Sequence, residues 1–149
     1  MLRLIGAIVG GLLLAFAIVF LTDALFHLLT PGAGRPDPND AEAMRTYVSR
    51  LPAAGLLGIL LGWALAVYVG AGLAARLALR GDWPGRVVTG LFLLATLGNF
   101  LIVPHPTWMV LTAIALILVA GALGIRQLGN TRSRGVGGEP GESTAPEPF

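Results

Sequence analysis

Residues 54–78, AGLLGILLGWALAVYVGAGLAARLA, decide the fold of this 149-residue chain. Every fourth residue in this stretch is Ala or Gly, and most of the others are large and apolar. Residues four apart share one face of an α-helix, so the pattern predicts a helix with one nearly flat stripe. No charge occurs in residues 51–75, which is long enough to cross a bilayer. The stripe consists of Ala54, Gly58, Gly62, Ala66, Gly70, Ala74 and Ala78.

The stripe predicts how this helix packs in a membrane. Lipid tails are as apolar as leucine, so no hydrophobic effect drives membrane helices together, and small residues that allow close approach form the contacts. We therefore expect the 54–78 helix to lie at the centre of a bundle. Its predicted packing positions are Gly58, Gly62, Ala66, Gly70 and Ala74. A four-residue period drifts by about 40° per step, so the stripe can contact more than one neighbour.

The composition indicates an integral membrane protein. Hydrophobic residues make up 55% of the chain and charged residues only 12%, whereas soluble domains carry about 25% charged residues. All ten basic residues are arginine, a usage typical of GC-rich bacterial genomes. The absence of cysteine excludes disulfides and thiolate chemistry. We expect no nucleic-acid partner, because no basic patch with interleaved aromatic residues occurs.

Hydropathy and helix-breaking residues predict an all-α bundle of four transmembrane helices, at about residues 2–29, 52–79, 86–103 and 107–125. We expect the first helix to be an uncleaved span, because its apolar run is longer than that of a usual signal peptide. Gly6 and Gly10 form a GxxxG face near its start. Residues 1–125 would form the transmembrane domain, and the Gly- and Pro-rich residues 126–149 a disordered cytoplasmic tail.

The loop between the first two spans predicts a short surface helix over about residues 38–50. Asn39 followed by Glu42 resembles a capping box. Met44, Tyr47, Val48 and Leu51 fall on one face, as expected for a helix lying at the membrane surface. Residues 82–85, Asp-Trp-Pro-Gly, predict a tight turn before the third span, with Gly81 as a candidate C-cap.

Arginine placement predicts the orientation. With four spans, seven of the ten arginines fall on the side of the two termini and the 80–86 turn. By the positive-inside rule, both termini are cytoplasmic and the 30–50 and 104–107 loops face outward. The predicted location is a bacterial inner membrane, with the lipid bilayer as partner and self-association or a larger membrane complex left open.

Four polar residues need an explanation because membrane helices rarely tolerate them. Asp23 and His27 lie one turn apart near the outer end of the first span, Asn99 near the outer end of the third, and His105 in the outer turn. Ionisable residues at such depths are functional-site hypotheses by default. We expect these side chains to lie at one level on the outer side.

Several interpretations of these residues stay open. They can hydrogen-bond one another and fix helix packing, or they can form a proton- or ligand-linked site. Asp23, His27 and His105 also offer one carboxylate and two imidazoles, a legitimate ligand set for Zn²⁺ or Cu²⁺. In a final alternative they never meet, and no cofactor is implied.

Three aromatic residues have simpler interpretations. Tyr68 lies deep in the second span, where its hydroxyl is expected to bond a neighbouring backbone. Trp63 and Trp108 are expected to be interfacial anchors or lipid-facing bulk.

Local motifs across residues 15–125 resemble an uncharacterised family of small bacterial four-span membrane proteins. The resemblance comes from Asp23 and His27 at the end of the first span, the pairs at 47–48 and 51–52, and the Pro-His-Pro-x-Trp turn ending at Trp108. The chain departs from the family pattern at Asp23, where Glu is usual, and at Phe26, where Gly is usual. The resemblance implies a four-helix membrane bundle and no activity.

Three function classes follow from these observations. The first is a non-enzymatic accessory or assembly subunit acting through helix packing. The second is a small transporter or ligand-binding protein that uses Asp23, His27, Asn99 and His105. The third is a lipid-modifying enzyme with His105 as base, but the sequence has no nucleophile with a base and orienter, no phosphate loop and no HExxH. An enzyme is therefore the least supported class.

Overall fold

The computed structural model of this protein describes residues 1–29, 37, 40–78, 81–103 and 105–129. These residues form five α-helices and no strands. The helices are α1 (Leu2–Leu29), α2 (Ala41–Arg50), α3 (Ala53–Leu77), α4 (Trp83–Ile102) and α5 (Thr107–Gly124), and a π-helical turn, Ile125–Gly129, continues α5. Four of these helices are long and apolar enough to cross a membrane. The predicted all-α bundle of four spans with an additional short helix is confirmed.

Helix α3 lies at the centre of the bundle, as its side-chain pattern predicts. It contacts α1, α4, α5 and the π-helical turn. In its most apolar stretch 44% of the residues are buried, compared with 17% in α1. The small side chains of α3 leave room for a neighbour on each of these sides.

Helices α1 and α3 approach until their backbones touch. A Cβ atom added at Gly70 would lie 2.6 Å from the carbonyl oxygen of Gly11, and one added at Gly11 would lie 2.6 Å from the carbonyl oxygen of Gly70. Ala15 and Ala74 complete this contact and are fully buried. Small residues on both helices are therefore required where they cross.

The face of α3 that α1 contacts departs from the strict four-residue stripe. A Cβ at Gly62 would meet the Thr22 side chain, and a Cβ at Gly55 would meet the Phe26 ring at 3.1 Å. Gly58 is exposed, and a Cβ there would meet nothing within 4 Å. Gly62, Gly70 and Ala74 of the stripe contact α1, whereas near the start of α3 the contact moves to Gly55 and leaves Gly58. This shift follows the helical repeat of 3.6 residues rather than 4.

The other sides of α3 are packed just as closely. A Cβ at Gly124 of α5 would collide with the backbone of Tyr68, and one at Gly72 would lie 2.8 Å from the carbonyl oxygen of Gly124. On the α4 side, a Cβ at Gly85 would lie 2.6 Å from the carbonyl oxygen of Ala71. Glycines on three helices therefore meet around α3.

Two helix starts differ from the sequence expectation. Helix α2 is capped by Asp40, whose carboxylate accepts hydrogen bonds from the backbone N–H groups of Glu42 and Ala43; the expected cap Asn39 lies outside the described residues. Residues 83–85 are the first turn of α4 rather than a tight turn. Pro84 is favourable there, because the first residues of a helix have no intrahelical acceptor for their N–H groups.

Two helix ends also differ. The last span extends to Gly129 through the π-helical turn, beyond the expected end near residue 125. The side chain of Gln127 in this turn accepts a 2.8 Å hydrogen bond from the Tyr68 hydroxyl. The expectation that Tyr68 bonds a neighbouring backbone is therefore wrong.

Helix α3 ends at Leu77 with Ala78 as its C-cap, so the expected C-cap at Gly81 is wrong. Gly81 adopts a positive φ of 72°, which suits glycine at the reversal between α3 and α4. Of the tail expected over residues 126–149, residues 126–129 are helical and the rest lies outside the described residues.

Helices α1 and α4 meet mainly at one end of the bundle. A Cβ at Gly11 would lie 3.2 Å from Val88, and the Phe16 and Phe92 rings are 6.0 Å apart. We call the other end, where α1 and α4 terminate and α2 lies, the α2 end. There a cavity lies between α1 and α4.

Candidate functional site: a cavity at the α2 end

A cavity of about 490 Å³ opens at the α2 end. Side chains from α1, α2, α3, α4 and the turn after α4 line it, whereas none from α5 does. Phe16 and His27 are eleven positions apart on α1, so the lining spans about 16 Å along the bundle. This volume lies within the range of about 300–1,000 Å³ that small-molecule pockets occupy.

All four polar residues singled out from the sequence line this cavity. Asp23 and His27 come from α1, Asn99 from α4, and His105 from the turn before α5. These residues are far apart in the chain, and the antiparallel course of the helices brings them to the same end. Lining one cavity does not show that these side chains contact one another, and their chemical role stays a prediction.

The pair on α1 is close without being hydrogen-bonded directly. The Nε2 atom of His27 lies 3.9 Å from the Oδ2 atom of Asp23, beyond hydrogen-bond range. The side chains are 31% and 43% exposed, respectively. Both therefore keep surface that faces the cavity.

His105 is oriented by its own turn. Its Nδ1 atom lies 2.6 Å from the carbonyl oxygen of Val103, and since a carbonyl only accepts, Nδ1 carries the proton and donates. In the neutral ring this leaves Nε2 as the acceptor. Burial lowers the pKa of His105 from its ordinary value, and the bond to Val103 offsets part of this effect.

The two threonines of the lining are occupied by their own helices. The Thr22 hydroxyl donates to the carbonyl oxygens of Ile18 and Val19, and the Thr96 hydroxyl donates to that of Phe92. Such bonds satisfy a hydroxyl where no water is present. The other polar side chains of the lining are those of Asp23, His27, Asn99, His105 and Tyr47.

The rest of the wall is apolar and aromatic. Phe16 and Phe92 close it toward the middle of the bundle. Trp63 also lines it, half-buried, and its ring lies 5.8 Å from that of Phe100, which in turn lies 5.0 Å from the His105 ring. The expectation of Trp63 as an anchor or lipid-facing bulk is therefore wrong. The sequence already places Trp63 in the middle of a span, far from either interface, and this position argues against an interfacial anchor.

Helix α2 contributes a wall that sequence reasoning missed. Its apolar face, Met44, Tyr47 and Val48, lines the cavity together with Leu51. Val48 is buried against residues of α3 and α5. The spacing of these residues predicts one apolar face, and such a face can pack on a helix bundle as well as on a bilayer surface.

The five predicted packing positions of α3 divide between core and cavity. Gly62, Ala66, Gly70 and Ala74 are buried between helices. Gly58 is exposed and lines the cavity beside Trp63. The close approach of α1 thus ends where the cavity begins.

The metal alternative is not assembled in this structure. Among the described residues, which include Asp23, His27 and His105, no three His, Asp or Glu side chains lie close enough together to hold a metal ion. His105 is held in the turn before α5 by Val103 and Phe100, whereas the other two lie on α1. Among the described residues, the zinc or copper set that the sequence left as one alternative therefore lacks its third ligand.

The fold and the cavity together define a small multi-pass membrane protein with an internal space open at one end. No protein-family model, curated protein or solved structure matches the chain.

Proposed function

We propose that this membrane protein binds a small, mainly apolar molecule with one polar group in the cavity at the α2 end. The observation that carries the proposal is the convergence of Asp23, His27, Asn99 and His105 on a space whose other walls are largely apolar. Polar side chains in membrane helices are costly, and pockets for small molecules combine apolar walls with a few converging polar groups.

The arginine distribution supports an outward-facing site. Arg3, Arg76, Arg86 and Arg126 lie at the end of the bundle opposite the cavity and are exposed. By the positive-inside rule that end is cytoplasmic, so the cavity opens toward the outer side of a bacterial inner membrane, with both termini inside. The ligand then enters from the outer leaflet or the outer aqueous face.

Trp63 provides a test of binding because it lines the cavity. With Trp83 and Trp108 replaced by Phe, it becomes the sole tryptophan reporter in purified protein in nanodiscs. A brominated fatty alcohol, which quenches tryptophan on contact, is titrated into this protein. We expect quenching that saturates, because the alcohol occupies a finite site.

Two controls separate the cavity from the bilayer. A protein with Trp108 as the sole tryptophan has an exposed reporter, so its quenching should rise in proportion to the alcohol in the lipid. Gly58→Phe fills the cavity without meeting a neighbouring atom at its Cβ, so saturable quenching of Trp63 should disappear. Identical, unsaturated quenching in all three proteins would refute the proposal.

An assembly role, the first class that the sequence favoured, is supported by a different surface from the one expected. The α3 positions from Gly62 to Ala74 are used within the chain, so they are not available to another subunit. On α1, a Cβ at Gly6 or Gly10 would meet nothing within 4 Å. Self-association is therefore tested by crosslinking Gly6→Leu and Gly10→Leu variants in membranes, where a loss of wild-type oligomers supports this role and unchanged migration argues against it.

A further inference from the structure

We infer that the occupant of the cavity is one alkyl chain of a lipid from the surrounding leaflet, which enters sideways between α1 and α4. This inference rests on the proposed binding function and names the class of ligand. Three features of the cavity point to this occupant: its depth and width, the order of apolar and polar residues along it, and its exposed side.

The cavity has the depth of one leaflet. Its lining runs along α1 from His27, near the end of this helix, to Phe16, near its midpoint. This part of α1 rises about 16 Å, and half of the hydrocarbon core of a bilayer is about 15 Å thick. A lipid chain in the leaflet beside the protein therefore extends over the same depth as the cavity.

The cavity is also narrow. A volume of about 490 Å³ over a length of about 16 Å corresponds to a mean width of about 6 Å. Non-bonded carbon atoms approach one another to about 4 Å, so one extended alkyl chain fits this width, whereas two chains side by side need about 8 Å. The space therefore suits a single unbranched chain.

Polarity increases along the cavity toward the α2 end. The deep part is lined by Phe16, Phe92 and Ala95. Asn99 lies about 10 Å beyond Phe92 on α4, and His105 follows in the turn. The two threonines of the lining bond their own helices. A leaflet has the same order of apolar interior and polar surface, so a lipid chain with its polar group at the α2 end matches the lining.

The side of the cavity between α1 and α4 is exposed at the deep end. Phe16 and Ala95 line the cavity there, and both are exposed, Phe16 by 49%. The residues of a closed cavity are covered by protein, whereas these two also belong to the outer surface of the bundle. In a membrane this surface contacts lipid tails, so a tail can reach the cavity without leaving its leaflet.

A phospholipid with bromine atoms in one acyl chain tests the inference, because bromine quenches tryptophan on contact. The protein with Trp63 as its sole tryptophan is assembled into nanodiscs of this phospholipid. Trp63 is half-buried and lines the cavity together with Gly58. We expect strong quenching of Trp63, and Gly58→Phe should remove most of it, because the new ring occupies the cavity.

Ala95→Phe tests the side opening. This substitution places a ring at the exposed side of the deep part, so it should reduce quenching by the brominated phospholipid as far as Gly58→Phe does. Ala17→Phe is the matched control, because Ala17 is exposed on α1 but lies outside the lining. It should leave the quenching of Trp63 unchanged.

The alcohols 1-dodecanol and cyclododecanol test the width of the cavity. Both have one hydroxyl and the same number of carbon atoms, but the ring folds into two parallel chains. Each alcohol is added to the brominated nanodiscs, and the two are compared at equal concentrations in the lipid. Dodecanol should restore Trp63 fluorescence at an about tenfold lower concentration than cyclododecanol, since overfilling a packed space costs about this much affinity.

The outcomes separate this inference from the proposed function. If the brominated phospholipid leaves Trp63 unquenched while the brominated fatty alcohol still quenches it saturably, the cavity binds a free small molecule and the lipid-chain inference is overturned. Equal potency of the two dodecanols, or phospholipid quenching that Gly58→Phe does not reduce, would overturn it as well. Absence of quenching by the phospholipid and of saturable quenching by the fatty alcohol would overturn both proposals.

Discussion

The contact between Gly70 and Gly11 gives the sharpest prediction about stability. In Gly70→Ala the new methyl group would lie 2.6 Å from the Gly11 carbonyl oxygen and 2.9 Å from the Cβ of Ala15. Neither atom belongs to a flexible side chain that can move aside. Helix α1 must therefore shift away from α3 to accept even this smallest side chain.

The magnitude follows from two opposing effects. Overpacking a tight contact costs about 1–3 kcal/mol, whereas alanine is favoured over glycine in a helix by up to about 1 kcal/mol. With the full helix-propensity gain subtracted, we expect a net loss of up to about 2 kcal/mol in the free energy of unfolding for Gly70→Ala. Gly58→Ala adds the same methyl group to the same helix where nothing lies within 4 Å, so its stability should be unchanged or raised by up to about 1 kcal/mol.

The assay is equilibrium unfolding in mixed micelles of a mild detergent and dodecyl sulfate, followed by circular dichroism. Gly11→Ala should match Gly70→Ala, because its methyl group meets the carbonyl oxygen of Gly70 at the same distance. The double variant should lose less than the sum of the two, since one shift of α1 relieves both collisions. Equal stabilities of Gly70→Ala and Gly58→Ala would refute the close crossing of α1 and α3, and strict additivity would refute a shared contact.

Further predictions concern the cavity and the polar residues around it. Gly58→Leu should abolish binding of any cavity ligand in a dialysis assay while leaving the unfolding transition in place, because its side chain extends into open space. Burial lowers the pKa of His105 in the folded protein below 6.5, so on acidification the unfolded chain takes up the proton first. The contribution of His105 to the free energy of unfolding is therefore complete above pH 6.5 and declines below it. Thermal unfolding between about pH 8 and about pH 5 should therefore show a smaller loss on acidification in His105→Asn than in the wild type, and an equal loss would contradict this role. Tyr68→Phe should lower the free energy of unfolding by about 0.5–1 kcal/mol, because it removes the hydrogen bond to Gln127. In a protein that already carries Gln127→Ala, Tyr68→Phe should cause no further loss. Additive losses of the two substitutions would argue against the bond.

Local sequence determined the membrane class and the helices of this protein. Hydropathy is summed along the chain, so apolar runs bounded by Pro, Gly and charges locate the four spans without knowledge of their neighbours. The errors lie at helix ends. Residues 82–85, which include Pro84, were predicted to form a turn, but α4 already begins at Trp83. The position of α3 at the centre was also predictable, because it alone combines span length with small residues on several faces.

The polar candidates were predictable as a set. An Asp or His inside an apolar run is conspicuous in any sequence, and the antiparallel order of four spans assigns Asp23, His27, Asn99 and His105 to one end. That they line the same cavity depends on how α1, α3 and α4 pack against one another, which no local pattern encodes.

Only the tertiary structure decided which small residues pack and which face empty space. Gly58 and Gly62 have the same place in the four-residue stripe, yet Gly62 is buried against Thr22 and Gly58 lines the cavity. The reason is geometric. A neighbouring helix follows the 3.6-residue repeat and its own tilt, so it leaves a four-residue stripe after a few turns, and the space between α1 and α4 opens where no third helix fills it.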